Sequence, residues 1–334
     1  MYPEYPYFSY KNENLKTPIT FPRQHQDVQP GMEYTMNPPP IFDNPDYVGS
    51  GKLKDKVAII TGGDSGIGRA VSILFAKEGA DIVIAYLDEK KDAMYTKQCI
   101  ENCGRRCLLI EGDLRKEDFS KFIVDHTLKN FGKIDILVNN AGVQYPQNSI
   151  LDITAIQLQN TFETNLFSFF YLTKACLPHL EANSSIINTT SITAFEGHKT
   201  LIDYSCTKGA IAVFTKSLAL SLADHKIRVN AVAPGPIWTP LIPASFSEEE
   251  VEIFGTDVPL KHAGQPFEVA PAYLYLASDD SRFVTGQIQP KFSTGSTCII
   301  VFPNRFPICI MLFNNFYNFI KIAYITKPTI QLCH

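Results

Sequence analysis

The 334-residue chain is expected to fold around a doubly wound α/β sheet of parallel strands, and three observations lead there. From Lys56 onward, short apolar runs rich in β-branched residues alternate with longer segments of helical period, the pattern of strands covered on both faces. These runs recur roughly every 25 residues, which leaves room for a right-handed crossover helix between neighbours. Directly after the first run stands Thr61-Gly62-Gly63-Asp64-Ser65-Gly66-Ile67-Gly68, followed by a helical segment. That is where such sheets hold a phosphate at a helix N-terminus.

In order, the predicted strands are VAIIT (57–61), DIVIAY (81–86), RCLLIEG (106–112), DILVNN (135–140), SIINTT (185–190) and RVNAVAP (228–234). Helices are predicted near 66–79, 88–103, 116–131, 154–182 and 204–225. The helix over 154–182 carries Leu158, Phe162, Leu166, Phe167, Phe169, Phe170 and Leu172. One sheet face cannot cover so broad an apolar surface, so a second face is expected against another subunit, giving a homo-oligomer (dimer or tetramer).

Composition sets the limits of this domain. With 30 Lys+Arg against 34 Asp+Glu and 45% hydrophobic residues, the chain is neither broadly disordered nor collagen-like. It offers no electrostatic footprint for nucleic acid. Nine of the 22 prolines lie in residues 1–50, and no acid follows Asp280, so the ends differ from the middle. Three segments result: a Pro/Tyr-rich arm (1–50), the sheet domain (51–292) and an atypical tail (293–334). The arm has two readings, a disordered leader or a segment whose tyrosines lie against the domain or a neighbouring subunit.

The start MYPEYPYFSYKNEN lacks a basic stretch followed by an apolar run, so a cytoplasmic protein with reduced thiols is expected. Cys99, Cys103 and Cys107 are spaced by four but have no fourth ligand nearby, and no metal is expected. In the tail, the run ICIMLFNNFYNFIKIAYI is interrupted by Asn314, Asn315, Asn318 and Lys321, so a membrane span is not the favoured reading.

Glycines in the 61–68 loop permit the tight turn, the approach of a diphosphate to bare backbone, and closure of the helix on the strand. A dinucleotide is therefore the expected cofactor. Tyr86 occupies the end of the second strand, where an acid would bond ribose hydroxyls, and Asp88 follows two residues later. Asp64 adds a further negative charge, while Arg69 is expected to point away on the helix. The balance leans to NAD, with NADP as the alternative.

Tyr204 and Lys208, in DYSCTKGA, lie one turn apart on a helix. An ammonium beside a phenol favours the phenolate and makes tyrosine a usable proton carrier. In isolation such a pair is common. Here Ser191 stands 13 residues upstream, at a strand end, Asn165 lies on the preceding helix, and Asn139-Asn140-Ala141-Gly142 closes the fourth strand. In one parallel sheet all of them reach the carboxyl edge, where open α/β sheets bind ligands.

TGGDSGIG, Gly112-Asp113-Leu114, NNAG, the set Asn165, Ser191, Tyr204 and Lys208, and PGPIWT (234–239) together resemble the short-chain dehydrogenase/reductase family over about residues 51–288. QPGMEYTMNPPP, AYLDEKKDA and YLASDDS resemble its glucose/ribitol dehydrogenase-like subgroup. The resemblance implies a Rossmann fold and an NAD(P)-dependent oxidoreductase acting on a small-molecule carbonyl/alcohol pair: a sugar, polyol or small aldehyde. It implies Tyr204 as general acid/base, Lys208 as its modulator and a nicotinamide-ribose ligand, Ser191 as the carbonyl-polarising hydroxyl, and Asn165 as holder of a relay water. It further implies a cofactor lined by Gly62, Asp64, Ser65, Gly66, Ile67, Gly68 and Tyr86. Asp113 and Leu114 would approach the adenine, and Asn140, Ala141 and Gly142 the adjacent ribose. Pro234, Gly235, Ile237 and Thr239 would line the carboxamide end.

The long segment 236–262 is expected to cover the site. Gln144, Tyr145, Ile192, Phe195, Trp238 and Leu241 are expected around the substrate. The pattern breaks after Gln287: the family's final strand would stand where the chain reads IQPKFSTGS, and Pro290 is compatible only with an edge strand. The tail is accordingly expected to be a replaced terminus outside the domain. A cofactor-binding but catalytically impaired regulator or scaffold is the competing reading.

Overall fold

Val57–Thr61 (β1) is buried at all five positions, as a strand must be when helices cover both of its faces. The computed structural model describes residues 20–291, together with 309–312, 321–326 and 329–332. After β1 come α1 (Gly66–Lys77), β2 (Asp81–Tyr86), α2 (Lys90–Asn102), β3 (Cys107–Glu111), α3 (Glu117–Phe131) and β4 (Ile134–Asn139). Then follow α4 (Ala155–Phe162), α5 (Ser168–Cys176), β5 (Leu180–Thr189), α6 (Thr193–Glu196), α7 (Ile202–Leu222) and β6 (Arg228–Pro234). α8 (Glu248–Glu252), α9 (Pro266–Ala277) and β7 (Ile288–Lys291) complete the domain.

The strands form one parallel sheet in the order β3-β2-β1-β4-β5-β6-β7, so the chain reverses direction across the sheet between β1 and β4. Phe75 of α1 and Tyr273 and Leu276 of α9 pack with Ile60, Ile84 and Val138 on one face. Ile123 of α3, Leu172 of α5 and Leu222 of α7 pack with Ile59, Val83 and Leu137 on the other. This is the doubly wound Rossmann architecture, with the strand ends at the β1/β4 reversal open to a ligand.

Three features depart from the sequence expectations. The helix expected over 154–182 is broken. A π-helical turn, Glu163–Phe167, separates α4 from α5, Pro178 lies in a closing 3-10 turn, and β5 begins at Leu180. The final strand of the sheet is present, pairing Ala231 with Ile288 and Ala233 with Pro290.

Residues 20–50 also lie against the domain, so the disordered-leader expectation fails for them. Phe21 and Met36 are buried with Trp238, Ile242, Val251 and Ala263. The tyrosines contribute less: Tyr47 hydrogen-bonds Glu78, whereas Tyr34 is exposed. Residues 1–19, with the tyrosine-rich start, lie outside the described residues.

The tail forms a separate compact unit. In it β8 (Cys309–Leu312), β9 (Lys321–Thr326) and β10 (Thr329–Leu332) make a small antiparallel sheet. Both ends of the apolar run considered as a membrane span are therefore strands, and residues 313–320 between them lie outside the described residues.

Closure of α1 on β1 depends on Gly68, where an added Cβ would fall 1.9 Å from the Gly62 carbonyl oxygen, a backbone atom that cannot move aside. Gly68→Ala is expected to cost about 2 kcal/mol or more through overpacking, measured by urea unfolding. A loss below about 0.5 kcal/mol, the range of a neutral surface change, would show that the loop is not tightly closed.

Candidate active site at the carboxyl edge of the sheet

The first half of the site is the turn from β1 into α1. Gly62 (φ +62°) and Gly66 (φ +51°) are left-handed, conformations that favour glycine. The Thr61 hydroxyl accepts the N–H groups of Asn140 (2.8 Å) and Ala141 (3.0 Å), so the ends of β1 and β4 are tied together. Asn140 donates in turn to the Thr61 carbonyl at 3.1 Å. Its Oδ1 accepts the Thr189 hydroxyl at 3.1 Å, joining β5 to the same point. A Cβ on Gly66 would meet the Thr239 side chain at 3.1 Å, so the segment after β6 crosses directly over the glycine turn.

Beside this turn lies a group of buried carboxyls. The Asp64 Oδ2 atom is sealed from solvent and has no hydrogen-bond partner. Burial pushes the Asp64 carboxyl up to about 6, against the pull of the Ser65 hydroxyl. Glu89 is buried as well; its Oε2 accepts the N–H groups of Leu87 (3.2 Å) and Asp88 (2.9 Å). Burial, followed by the nearby Asp64 charge, raises Glu89 to about 7. The Tyr86 hydroxyl donates to Glu111 at 3.1 Å, and burial with that carboxylate pushes the phenol up to about 12.

Arg69 does not point away as expected. It is buried, paired with Glu33 of the arm and with Asp92 (3.1 Å), and its Nε donates to the Asp64 carbonyl at 2.9 Å. Glu33 also accepts the Gly66 N–H at 2.6 Å. Asp113 and Leu114 follow β3, with Asp113 ion-paired to Arg115 at 2.8 Å.

The second half converges on Gly142. Tyr204 and Lys208 project from the first turns of α7, and both are buried. Ser191, two residues beyond β5, lies close enough to the Tyr204 phenol to favour its ionised form. Lys208 Nζ donates to the Thr189 carbonyl at 2.9 Å and lies 5.4 Å from the centre of the Tyr204 ring. A Cβ on Gly142 would lie 3.2 Å from Asn165 Oδ1 and 3.6 Å from Lys208 Nζ, so bare backbone keeps the space before both groups open.

The π turn brings the Asn165 side chain onto Val143, where Oδ1 accepts the N–H and Nδ2 donates to the carbonyl, both at 2.8 Å. Nδ2 also reaches the Thr207 hydroxyl at 3.2 Å, which donates to the Tyr204 carbonyl at 2.7 Å. Asn165 is thus a clamp between the β4 exit and α7, with both side-chain atoms committed. Asp203 fixes the start of α7, accepting the Tyr204 N–H (2.9 Å), Gln157 (3.1 Å) and Thr161 (2.8 Å).

The electrostatics differ from the expectation of a phenol lowered by its lysine. Burial pushes Tyr204 up to about 12, and the opposing pull comes from Ser191. Burial also takes Lys208 down to about 7. The low-dielectric site disfavours the charged form of each.

Pro234, Gly235, Ile237 and Thr239 run from the end of β6 toward α9, with Ile237 bridged to Gly264. Trp238 does not line the substrate space. It is fully buried, stacked on Phe21 at 3.9 Å between ring centres, with Nε1 donating to the Pro38 carbonyl at 2.9 Å. Sequence reasoning missed the strand-tying role of Thr61, and it missed Thr207, Glu89, Gln29 and Glu33 as parts of this region. Gln29 and Glu33 both stand within QPGMEY, whose resemblance to the subgroup gives neither a role. Among the described residues, no group of three His, Cys, Asp or Glu could hold a metal ion.

A parallel sheet with a glycine turn on a helix N-terminus, and a hydroxyl–phenol–amine set at the same edge, defines an oxidoreductase built on a dinucleotide-binding fold. Comparison with known proteins fixes the family. A family model described as Enoyl-(Acyl carrier protein) reductase matches residues 62–290. An uncharacterized oxidoreductase of Bacillus subtilis, YhxC, is 64% identical over 268 residues, covering 80% of this chain and 93% of the relative. The NADPH-dependent aldehyde reductase 1, chloroplastic, of Arabidopsis thaliana is 50% identical (80% of this chain, 95% of the relative). Glucose and ribitol dehydrogenase of Daucus carota is 47% identical (80% and 94%). A short-chain dehydrogenase from Burkholderia cenocepacia, solved in complex with NADP, superposes with a TM-score of 0.68 at 29% identity, covering 72% of this chain and 97% of that one. The chain belongs to the short-chain dehydrogenase/reductase family and is an oxidoreductase.

The buried acids give a pH signature. Glu89 and Asp64 hold protons in the fold that the unfolded chain releases, so their contribution to stability falls as pH rises from about 4 to about 7. Glu89→Gln should flatten this decline, so its stability relative to the parent, read by urea unfolding, grows from pH 5 to pH 8. A difference independent of pH would place Glu89 in an ordinary carboxylate environment.

Proposed function

We propose that this protein interconverts a carbonyl and an alcohol by hydride transfer with a nicotinamide dinucleotide, Tyr204 serving as general acid/base. The observation that carries the reading is a chain of neighbours: Asn165 and Lys208 face the bare backbone of Gly142, Tyr204 lies beside Lys208, and Ser191 acts on the Tyr204 phenol. A dinucleotide suits the residues present. Gly62 and Gly66 leave bare backbone at the α1 N-terminus for a diphosphate to approach. In this reading Gly62 to Gly68 hold the diphosphate, Asp64 and Tyr86 flank the adenosine ribose, and Asp113 and Leu114 approach the adenine. Asn140, Ala141 and Gly142 approach the ribose adjacent to the adenine and Lys208 holds the nicotinamide-side ribose, while Pro234, Gly235, Ile237 and Thr239 hold the carboxamide end.

The bound nicotinamide supplies the hydride; the protein moves one proton and fixes geometry. Ser191 donates a hydrogen bond to the substrate oxygen, and Tyr204 delivers or removes the proton there. The Asn165 side chain is spent on Val143 and Thr207, so its share in a relay water falls to the main chain. A sugar, polyol or small aldehyde is the substrate class, supported by the names of the carrot and Arabidopsis relatives. NAD is favoured over NADP because Asp64 and Glu89 crowd the ribose end and Arg69 is already paired with Glu33 and Asp92. The NADPH-dependent Arabidopsis relative supports the other choice.

A homo-oligomer belongs to the same reading, supported by exposed Phe167 on the π turn, Phe170 on α5, and Val213 and Leu220 on α7. Sedimentation velocity reads it, and a monomer at micromolar concentration would overturn it. Among the described residues no helix is long and apolar enough to cross a membrane. Cys99, Cys103, Cys107, Cys176 and Cys206 are free thiols, which suits the reducing cytoplasm.

The decisive assay uses NADH and NADPH against a panel of aldehydes and sugars, alongside Tyr204→Phe. Turnover of at least one carbonyl is expected, lowered by ~10² or more in the variant, with cofactor Kd nearly unchanged and tighter for NAD than for NADP. Tight cofactor binding without turnover, and no effect of the substitution, would favour a silent scaffold.

A further inference from the structure

The arm is fastened across the segment 236–262 at successive points. The Phe21 N–H donates to the Glu252 carbonyl at 3.1 Å, and the ring stacks on Trp238. Arg23 pairs with Glu252 at 3.0 Å, His25 Nδ1 hydrogen-bonds the Phe246 carbonyl at 2.8 Å, and the Gln26 N–H donates to the Pro243 carbonyl at 2.8 Å. At Gly31 the two backbones touch so closely that a Cβ would fall 2.4 Å from the Pro240 carbonyl oxygen.

Between these anchors, Gln29 reaches past the loop into the site. Its Oε1 accepts the Gln144 N–H at 3.2 Å, and its Nε2 donates to the Gln144 carbonyl and to the Ala244 carbonyl (3.1 Å). Gln144 directly follows Val143, which Asn165 grips in the same two-sided way. Two consecutive residues leaving β4 are therefore each paired, N–H and carbonyl together, by a carboxamide. One carboxamide comes from the helix that abuts α7, and the other from the arm.

We propose that Gln29 is a positioning residue of the active site: its carboxamide fixes the separation between Gln144 at the β4 exit and Ala244 in the covering loop, and thereby the width of the substrate opening. The proposal rests on the carbonyl-reductase reading above. Both halves of the carboxamide are needed, an acceptor toward the Gln144 N–H and a donor toward two carbonyls. Alanine removes both. Glutamate keeps the acceptor and regains one of the two donors only while protonated, so it imitates glutamine in part at low pH.

Gln29→Ala and Gln29→Glu in the full chain test this. For Gln29→Ala, KM for the carbonyl substrate should rise about tenfold, with NAD(H) Kd unchanged within twofold. For Gln29→Glu, the KM ratio to the parent should be smallest at the acid end of the range in which the protein stays folded and climb toward the alanine value as the carboxyl ionises. Amide hydrogen exchange over residues 240–254 should quicken about tenfold in Gln29→Ala, a readout that needs no turnover. Unchanged KM with a folded variant overturns the proposal. So does equal loss of kcat, KM and cofactor binding, which marks a general structural defect. If the parent turns over no carbonyl, the function reading fails separately, and unchanged loop exchange then overturns the strap as well.

Discussion

Asn165 holds Val143 by both its N–H and its carbonyl, and the rest of the active edge is arranged around that pairing. β4 ends at Asn139, so residues beyond it have no neighbouring strand to satisfy their backbone groups. A buried backbone donor or acceptor without a partner costs about 1–3 kcal/mol, so something must replace the ladder. The π turn between α4 and α5 supplies it by re-aiming one side chain, as single π turns at functional sites do. The same carboxamide continues through Thr207 to the Tyr204 carbonyl, so the β4 exit and the start of α7 are held as one piece. Thr61 and Asn140 perform the matching task one step earlier, binding β1 to β4. Asn165 and Lys208 both face Gly142, and Tyr204 lies beside Lys208, because these strand ends and the start of α7 are tied together.

Charge explains why the arm packs although its composition reads as poor core material. Arg69 on α1 is buried, and a buried guanidinium requires partners for its fork of donors. The domain provides Asp92, Thr96 and the Asp64 carbonyl; the arm provides Glu33. Burial pushes the Glu33 carboxyl up to about 7, against the opposing pull of Arg69 and the Gly66 N–H. The arm thus completes a polar cluster beneath the glycine turn at one end and an aromatic cluster around Trp238 at the other. Prolines serve this well: an extended segment crossing a finished surface needs few internal hydrogen bonds and loses little chain entropy on docking.

Much of the fold was legible because strands buried on both faces and crossover helices leave strong periodic marks. VAIIT and DIVIAY are read as observed, within the usual uncertainty of element ends. The motif residues at the carboxyl edge were legible for a similar reason: sheet topology forces strand ends into one row. What could not be read was non-local pairing. Nothing near Arg69 in sequence announces that Glu33, 36 positions earlier, will bury against it. The run 154–182 looked like one helix because a π turn keeps helical composition and changes only which residue faces inward. Trp238 was read as a pocket residue because its neighbours in PGPIWT are site residues; its partner Phe21 lies 217 positions away. The upward shift of the Tyr204 phenol was not legible either, because burial, which disfavours the charged forms of both Tyr204 and Lys208, belongs to the folded site.

The departure at the end of the domain follows the same logic of backbone satisfaction. A proline in the last strand removes a donor, which would disrupt a central strand. In β7 the Ala231 N–H bonds the Gln287 carbonyl, and neighbouring residues alternate in which side they present. The nitrogens of Ile288 and Pro290 therefore turn away from β6, and Pro290 withdraws nothing from the ladder. β7 is the outermost strand of its sheet among the described residues, so that side requires no donor there. The ladder holds at its last strand despite the unusual sequence, and the strand ends that carry the site, on β1, β4, β5 and β6, all lie upstream of it. An odd composition after residue 291 is thus compatible with an intact active edge, because the physical demands on that edge are met before the chain reaches it.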